Sequence, residues 1–296
     1  MRLLNASGCL DALVAPDVAR TLDAFVTKTV TPLPRDGNRP VRIAETEAGM
    51  LNAIGLANPG IDRFIDTVLP ELKGLAVPLW VSVGGFCADD YARSCDVLDD
   101  HPEVEAIELN LSCPNVDDAP ESAAEIVRAA RLATRKRLYA KLSAAVPDVA
   151  ELARAVAAAG ADGLSLINTV RGLALDERTL RPRLERATGG YSGPALKPIA
   201  LAAVYACARA TDVPIVGMGG IATGRDALEF VAAGAHDVAL GTIVFSDPAA
   251  PTRVREELAV ELSEHGFASI DDARGIAHAD ASTQVGQHTA THPVAV

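Results

Sequence analysis

Apolar residues fall into two kinds of run that alternate along the chain. Eight short runs rich in aliphatic and β-branched residues predict strands: RLLNA (2–6), AFVTK (24–28), LWVSV (79–83), AIELN (106–110), LYAKL (138–142), LSLIN (164–168), PIVGM (214–218) and VALGT (238–242). Longer Ala- and Leu-rich stretches between them predict helices near 60–74, 89–98, 121–136, 148–159, 195–210, 225–233 and 249–264. Two of these have legible ends. Asp148 precedes VAELARAVAAA, which Gly160 closes, and Thr223 precedes GRDALEFVAAG, which stops at Gly234. Strands that alternate with helices imply a parallel sheet, and eight such units predict an α/β fold with a single (β/α)8 barrel spanning residues 1–274. An open, doubly wound sheet competes with the barrel, but no GxGxxG follows an early strand. Because the first strand begins almost at Met1, the barrel floor is expected to be little covered. Residues 275–296 lack apolar periodicity and read as a disordered tail. His278, His288 and His292 fall there, with no metal site expected.

Two connections, 29–59 and 169–193, are too long for simple turns. Both follow strand C-termini, the end at which barrels place their active sites, so both are expected to be functional loops. Composition narrows what they could serve. The chain has 296 residues, 49% hydrophobic, with Lys+Arg 27 against Asp+Glu 39, a net charge of −12. An acidic chain with only eleven aromatics suits neither nucleic acid nor an anionic membrane surface as its main partner. Mean hydropathy is slightly positive at +0.19. Even so, the apolar stretch 199–208, bounded by Lys197 and Arg209, is far short of the ~20 residues of a membrane-spanning helix. No basic-then-apolar leader follows Met1. Five cysteines without a CxxC pair argue against a disulfide framework or a self-contained metal cluster, and suggest a cytoplasmic protein with reduced thiols.

The predicted strand ends are unusually polar or glycine-rich. In order they present Ser7, Lys28, Gly84-Gly85, Asn110 with Cys113, Lys141, Asn168, Gly219-Gly220 and Gly241-Thr242. Barrels often hold a phosphate between the loops after strands seven and eight, where bare backbone and a helix start meet the anion, and the last four residues occupy that place. In ELNLSCPN (108–115) the carboxamides Asn110 and Asn115 bracket the Cys113 thiol. A carboxamide offers donor and acceptor together, as an amide-like heterocycle requires, and a loop thiol can serve as base or nucleophile. Cys9, Cys87, Cys95 and Cys207 lack such company and are expected to be structural. Lys28 and Lys141 end apolar runs and should meet an anion or polar ligand at the barrel mouth. Lys141 also leaves open a Schiff-base lyase chemistry.

Taken together, ASG (6–8), VTK (26–28), GNRPVR (37–42), GMLNAIGL (49–56), ELNLSCPNV (108–116), AKLS (140–143), GADGLSLINT (160–169), GGYSGPALKPIAL (189–201), VPIVGMGGI (213–221) and VALGT (238–242) resemble the class 1 dihydroorotate dehydrogenases, class 1B most closely. The resemblance implies FMN at the C-terminal face of a TIM barrel and oxidation of dihydroorotate to orotate in pyrimidine biosynthesis. By motif, Cys113 is the base that takes the C5 proton while the C6 hydride passes to flavin N5. Lys28, Asn52, Ala53, Ile54, Gly55, Leu56, Asn110, Asn115, Asn168 and Thr169 match the substrate-holding positions. Ser7, Lys28, Asn110, Lys141, Ile167, Gly193, Gly219, Gly220, Gly241 and Thr242 match those that hold FMN. Class 1B also implies a separate FAD and iron–sulfur subunit, in a homodimer or heterotetramer, with neither nucleic acid nor membrane as partner. Two departures stand out. Ser82 replaces an Asn that usually contacts the flavin, and the loop after Val116 is acidic. The acidic loop keeps open a neutral dihydropyrimidine as substrate in place of orotate.

Overall fold

Alternating side chains let a strand fill a barrel with one face and pack on helices with the other, and the eight apolar runs do this. The computed structural model describes residues 1–111 and 123–279. Among them lie twelve strands: β1 (Leu3–Asn5), β2 (Phe25–Val26), β3 (Ile43–Thr46), β4 (Gly49–Asn52), β5 (Leu79–Val83), β6 (Val104–Asn110), β7 (Arg137–Leu142), β8 (Gly163–Leu166), β9 (Val170–Leu173), β10 (Thr188–Ser192), β11 (Ile215–Met218) and β12 (Asp237–Leu240). Eight of them form one parallel sheet in the order β1-β12-β11-β8-β7-β6-β5-β2. A parallel bridge from Leu4 to Ala24 brings β1 back beside β2. Each predicted run overlaps one of these strands, and the barrel expectation holds.

The capped helices form as their sequences direct. The Asp148 side chain accepts from Ala150 N and Glu151 N at 2.8 and 2.9 Å. Thr223 and Asp226 make a reciprocal capping box at the next helix but one. The first predicted helix is less regular, because Phe64–Val68 winds as a π-helical turn between Ile61–Arg63 and Leu69–Lys73.

One apolar cluster lies between strands and helices, and a second fills the barrel with Leu4, Ala24, Val26, Trp80, Ala106, Tyr139, Val216, Met218 and Ala239. The floor is closed, contrary to the expectation. The Trp80 and Tyr139 rings pack with centroids 4.3 Å apart, and the Arg2 guanidinium lies 5.1 Å from the Trp80 ring centroid. Glu105 accepts from Trp80 Nε1 at 3.1 Å and from both Arg2 and Arg137 at 2.7 Å, so two large rings and an ion cluster cover this end of the barrel.

The long connections are not structureless. They pair as a four-stranded antiparallel sheet, β3-β4-β10-β9, with its own core of Ala44, Leu51, Ala53 and Leu184. At the other end of the chain, packing continues past residue 274. Gly275 N donates to Val231 O at 3.0 Å, and His278 stacks on Tyr205 with centroids 4.3 Å apart. Residues 280–296, with His288 and His292, lie outside the described residues. Among the described residues no cluster of three metal-ligating side chains occurs, and no helix is long and apolar enough to cross a membrane.

Candidate active site

Strand polarity decides where polar side chains gather. Parallel strands all end on one face of the barrel, so the residue leaving each strand projects into the same mouth. Ser7 leaves β1, Lys28 leaves β2, Asn110 ends β6, Lys141 sits near the end of β7, and Ile167, Asn168 and Thr169 follow β8. Gly219 and Gly220 follow β11, and Gly241 and Thr242 follow β12. All of these line one cavity of about 1120 Å³, measured out to its open mouth. The small sheet roofs it with Ile43, Met50, Asn52, Ser192 and Gly193, and the chain after β4 adds Ile54, Gly55 and Leu56.

Within the cavity a connected set of hydrogen bonds fixes the carboxamides. Asn168 Nδ2 donates to Asn110 Oδ1 at 2.9 Å, and Thr169 N donates to Asn168 Oδ1 at 2.8 Å. Asn110 Nδ2 donates to Thr29 Oγ1 at 3.2 Å, which also lies 3.0 Å from Ser82 Oγ and 3.3 Å from Ser7 Oγ. Tyr91 Oη donates to the Asn110 carbonyl at 2.7 Å, anchoring the strand end itself. Ser82 is therefore a buried prop beneath Thr29 and does not line the cavity.

Two cations, Lys28 and Lys141, line the same cavity. The Lys141 ammonium meets the carboxylate of Glu108 at 3.4 Å, and both side chains are almost wholly buried. After the last two barrel strands the cavity wall is bare backbone. Gly219 and Gly220 adopt φ of +123° and +80°, a conformation that side chains disfavour. At Gly241 a Cβ would meet only Ala6 Cβ and Cys9 Sγ, each at 3.9 Å, so the absent side chain leaves cavity rather than filling it. Backbone of this kind, in one cavity with two lysines and the Thr242 hydroxyl, suits a phosphorylated planar ligand.

Sequence reasoning placed most of this set but not all. Ala53 does not line the cavity. Extended chain alternates sides, so Asn52 and Ile54 face inward while Ala53 is 1% exposed and packs beneath the small sheet with Ala44 and Leu51. Cys113 and Asn115 lie outside the described residues, as does the acidic loop. Thr29, Glu108, Met50, Ser192 and Cys9 were missed as part of the site. Of these, Cys9 stands apart from the thiols expected to be structural, because it lines the cavity. Burial pushes its thiol above the ordinary range, although Lys141 and Lys28 pull it the other way. Cys95 and Cys207 fit the structural expectation; burial pushes both up to about 12.

Known proteins resemble this chain throughout the barrel. The dihydroorotate dehydrogenase family profile matches residues 2–262. A protein of Trichlorobacter lovleyi named dihydroorotate dehydrogenase B (NAD(+)), catalytic subunit, is 47% identical over 261 residues, covering 86% of each chain. A Solibacter usitatus relative bearing the dihydroorotate dehydrogenase A (fumarate) name is 46% identical over the same extent. The ligand-free enzyme of Eimeria tenella has the same fold, with TM-score 0.79 and 23% identity over 94% of this chain and 89% of its own. Neither the Schiff-base lyase nor the neutral dihydropyrimidine reading is favoured by these relatives. The chain belongs to the dihydroorotate dehydrogenase family, and is an oxidoreductase that oxidises dihydroorotate in pyrimidine biosynthesis.

Proposed function

We propose that the barrel-mouth cavity holds FMN and dihydroorotate side by side, and that Cys113 is the base. The observation that carries this reading is the convergence of Lys28, Lys141, Asn110, Asn168 and the bare backbone of Gly219, Gly220 and Gly241 in one cavity. The fit to FMN is good on two counts. Gly241 leaves open a space that a Cβ would enter, and the cavity has both cations and carboxamides for a ring with alternating carbonyl and N–H edges. Ser7, Lys28, Asn110, Lys141, Ile167, Gly193, Gly219, Gly220, Gly241 and Thr242 would hold it. When bound, FMN supplies the acceptor for the hydride that leaves C6 of the substrate.

The chain's own groups then have separate tasks. Cys113 takes the proton from C5; a thiol is inherently more acidic than a hydroxyl, which suits a base near neutral pH. Asn52, Asn110, Asn168 and Thr169 hold the pyrimidine ring, with Asn110 and Asn168 held in turn by each other and by Thr29. Ile54, Gly55, Leu56 and the small sheet cover the site and exclude water. Lys28 and Lys141 attract the two anionic ligands, a task that a chain of net charge −12 leaves to a few local groups. Ala53 supports this wall from behind, and Asn115 belongs to the same NLSCPN motif as Cys113.

The name of the Trichlorobacter relative, an NAD(+) enzyme's catalytic subunit, supports a partner subunit; the class 1B resemblance implies that this partner carries FAD and an iron–sulfur cluster and passes electrons to NAD. We place the working enzyme in the cytoplasm, as a homodimer or heterotetramer built on one barrel with a C-terminal tail. Purified protein supplied with FMN should bind it and reduce an artificial dye with dihydroorotate, and reduce NAD only slowly without the partner. Turnover of dihydrouracil in preference to dihydroorotate would contradict the substrate, and full-rate NAD reduction by the lone chain would contradict the partner.

A further inference from the structure

The middle of the barrel contains an anomaly. Alternation along β6 points Ala106, Glu108 and Asn110 inward, and along β7 Tyr139 and Lys141. Bulky aliphatic residues usually fill the layers of such a barrel. Here the buried residues near the cavity include Ser82, its register partner Glu108, and Ser165, all at 1% exposure or less. Lys141 is register partner of both Asn110 and Ser165. Its ammonium lies 3.4 Å from Glu108 Oε1, with the carboxylate side chain 1% and the lysine side chain 7% exposed.

Stability does not account for a carboxylate at that depth. Removing two charges from water costs several kcal/mol per ion, and well-packed apolar residues in place of a buried pair are often neutral or stabilising. The pair also stands under a cavity that must receive anions, where an added negative charge weakens attraction. A group that is costly for the fold and unfavourable for simple anion capture is expected to adjust how the lysine above it acts.

We infer that Glu108 is a positioning residue that anchors Lys141 and tempers its charge, so that the cavity does not favour the reduced, more negative flavin too strongly over the oxidised one. This inference rests on the FMN reading above. Without the Glu108 carboxylate, Lys141 would stabilise negative charge on the ring more fully and its position would respond more to the oxidation state. Anchored by Glu108, it offers a fixed and partly offset charge to both, which leaves the electrons able to move on to an acceptor.

The test is the reduction potential of FMN bound to the whole chain, measured by equilibration with a reference dye, for wild type, Glu108→Gln and Glu108→Asp. Removing the negative charge in Glu108→Gln should favour the reduced form about tenfold in relative affinity, a positive shift of about 30 mV for a two-electron couple. Oxidised FMN binding to apoprotein, followed by fluorescence quenching, should change less than threefold. Glu108→Asp keeps the charge but withdraws it by one methylene, so it should shift the potential in the same direction by a smaller amount. If the Gln variant does not fold, the Asp variant decides alone. Variants that bind FMN with a potential within twofold of wild type in relative affinity would overturn this inference and leave the cofactor reading standing. A wild-type chain that binds no FMN would overturn the cofactor reading and this inference with it.

Discussion

Asn110 and Asn168, 58 residues apart in sequence, face each other across the barrel mouth with Asn168 Nδ2 donating to Asn110 Oδ1 at 2.9 Å. The bond decides which way each carboxamide points. It leaves Asn110 Nδ2 for Thr29 and makes Asn168 Oδ1 the acceptor of Thr169 N. Removing one amide therefore frees the other. Asn168→Ala should lower kcat/KM for dihydroorotate about 10- to 100-fold, the range expected for losing one or two hydrogen bonds of about 1–2 kcal/mol each. FMN binding should survive. A variant with unchanged steady-state constants would remove this pair from substrate recognition.

Gly241 offers a way to empty the site without disturbing the fold. A Cβ there would find nothing nearer than 3.9 Å, so Gly241→Val should melt within a few degrees of wild type. The branched side chain would enter the cavity, and the purified protein should be colourless. Gly220→Val differs, because its Cβ would fall 2.8 Å from Lys197 N at a positive φ, so both fold and flavin should suffer. A yellow Gly241→Val protein would refute the phosphate cradle.

The thiols should react in a set order. At pH 8 Cys95 and Cys207, pushed up to about 12 by burial, remain protonated and should resist iodoacetamide. Peptide mapping should find Cys113 modified in step with loss of turnover, with orotate protecting it. Complete Cys113 modification with activity intact would exclude it as the base.

Acid stability should depend on Asp99, which does not line the cavity. Its carboxylate accepts from Thr134 Oγ1 at 2.6 Å and Arg135 N at 2.7 Å, and these bonds hold it down to about 2. A depressed folded-state value stabilises above the unfolded-state value, near 4, and that contribution is lost as pH falls from about 4 to about 2. Asp99→Asn should thus lower the urea midpoint at pH 7, and the difference from wild type should shrink over that window. A difference independent of pH would refute the assignment.

How much of this could be read from the chain depends on whether a feature is local. The eight barrel strands were legible because each is a short apolar run bounded by helix signals. The second sheet was not. It pairs β4 with β10, whose partners Asn52 and Gly190 lie 138 residues apart, and the TGGYS of β10 reads as a turn. Its glycines permit close approach instead: a Cβ at Gly190 would lie 2.1 Å from Thr169 Oγ1. Ala53 was misplaced because a motif is contiguous, whereas alternate residues of extended chain face opposite ways. Glu108 and Thr29 were overlooked for a different reason. Glu108 lies inside β6 and Thr29 one residue past Lys28, and their roles follow from what they touch.

The most direct measurement is anaerobic addition of dihydroorotate to the FMN-loaded chain while its yellow absorbance is followed. The account predicts rapid bleaching in wild type and, in Cys113→Ala, retained colour with bleaching slowed about 100- to 10,000-fold, the usual contribution of a positioned base. Wild-type protein that stays yellow, or a Cys113→Ala variant that bleaches as fast as wild type, would contradict it.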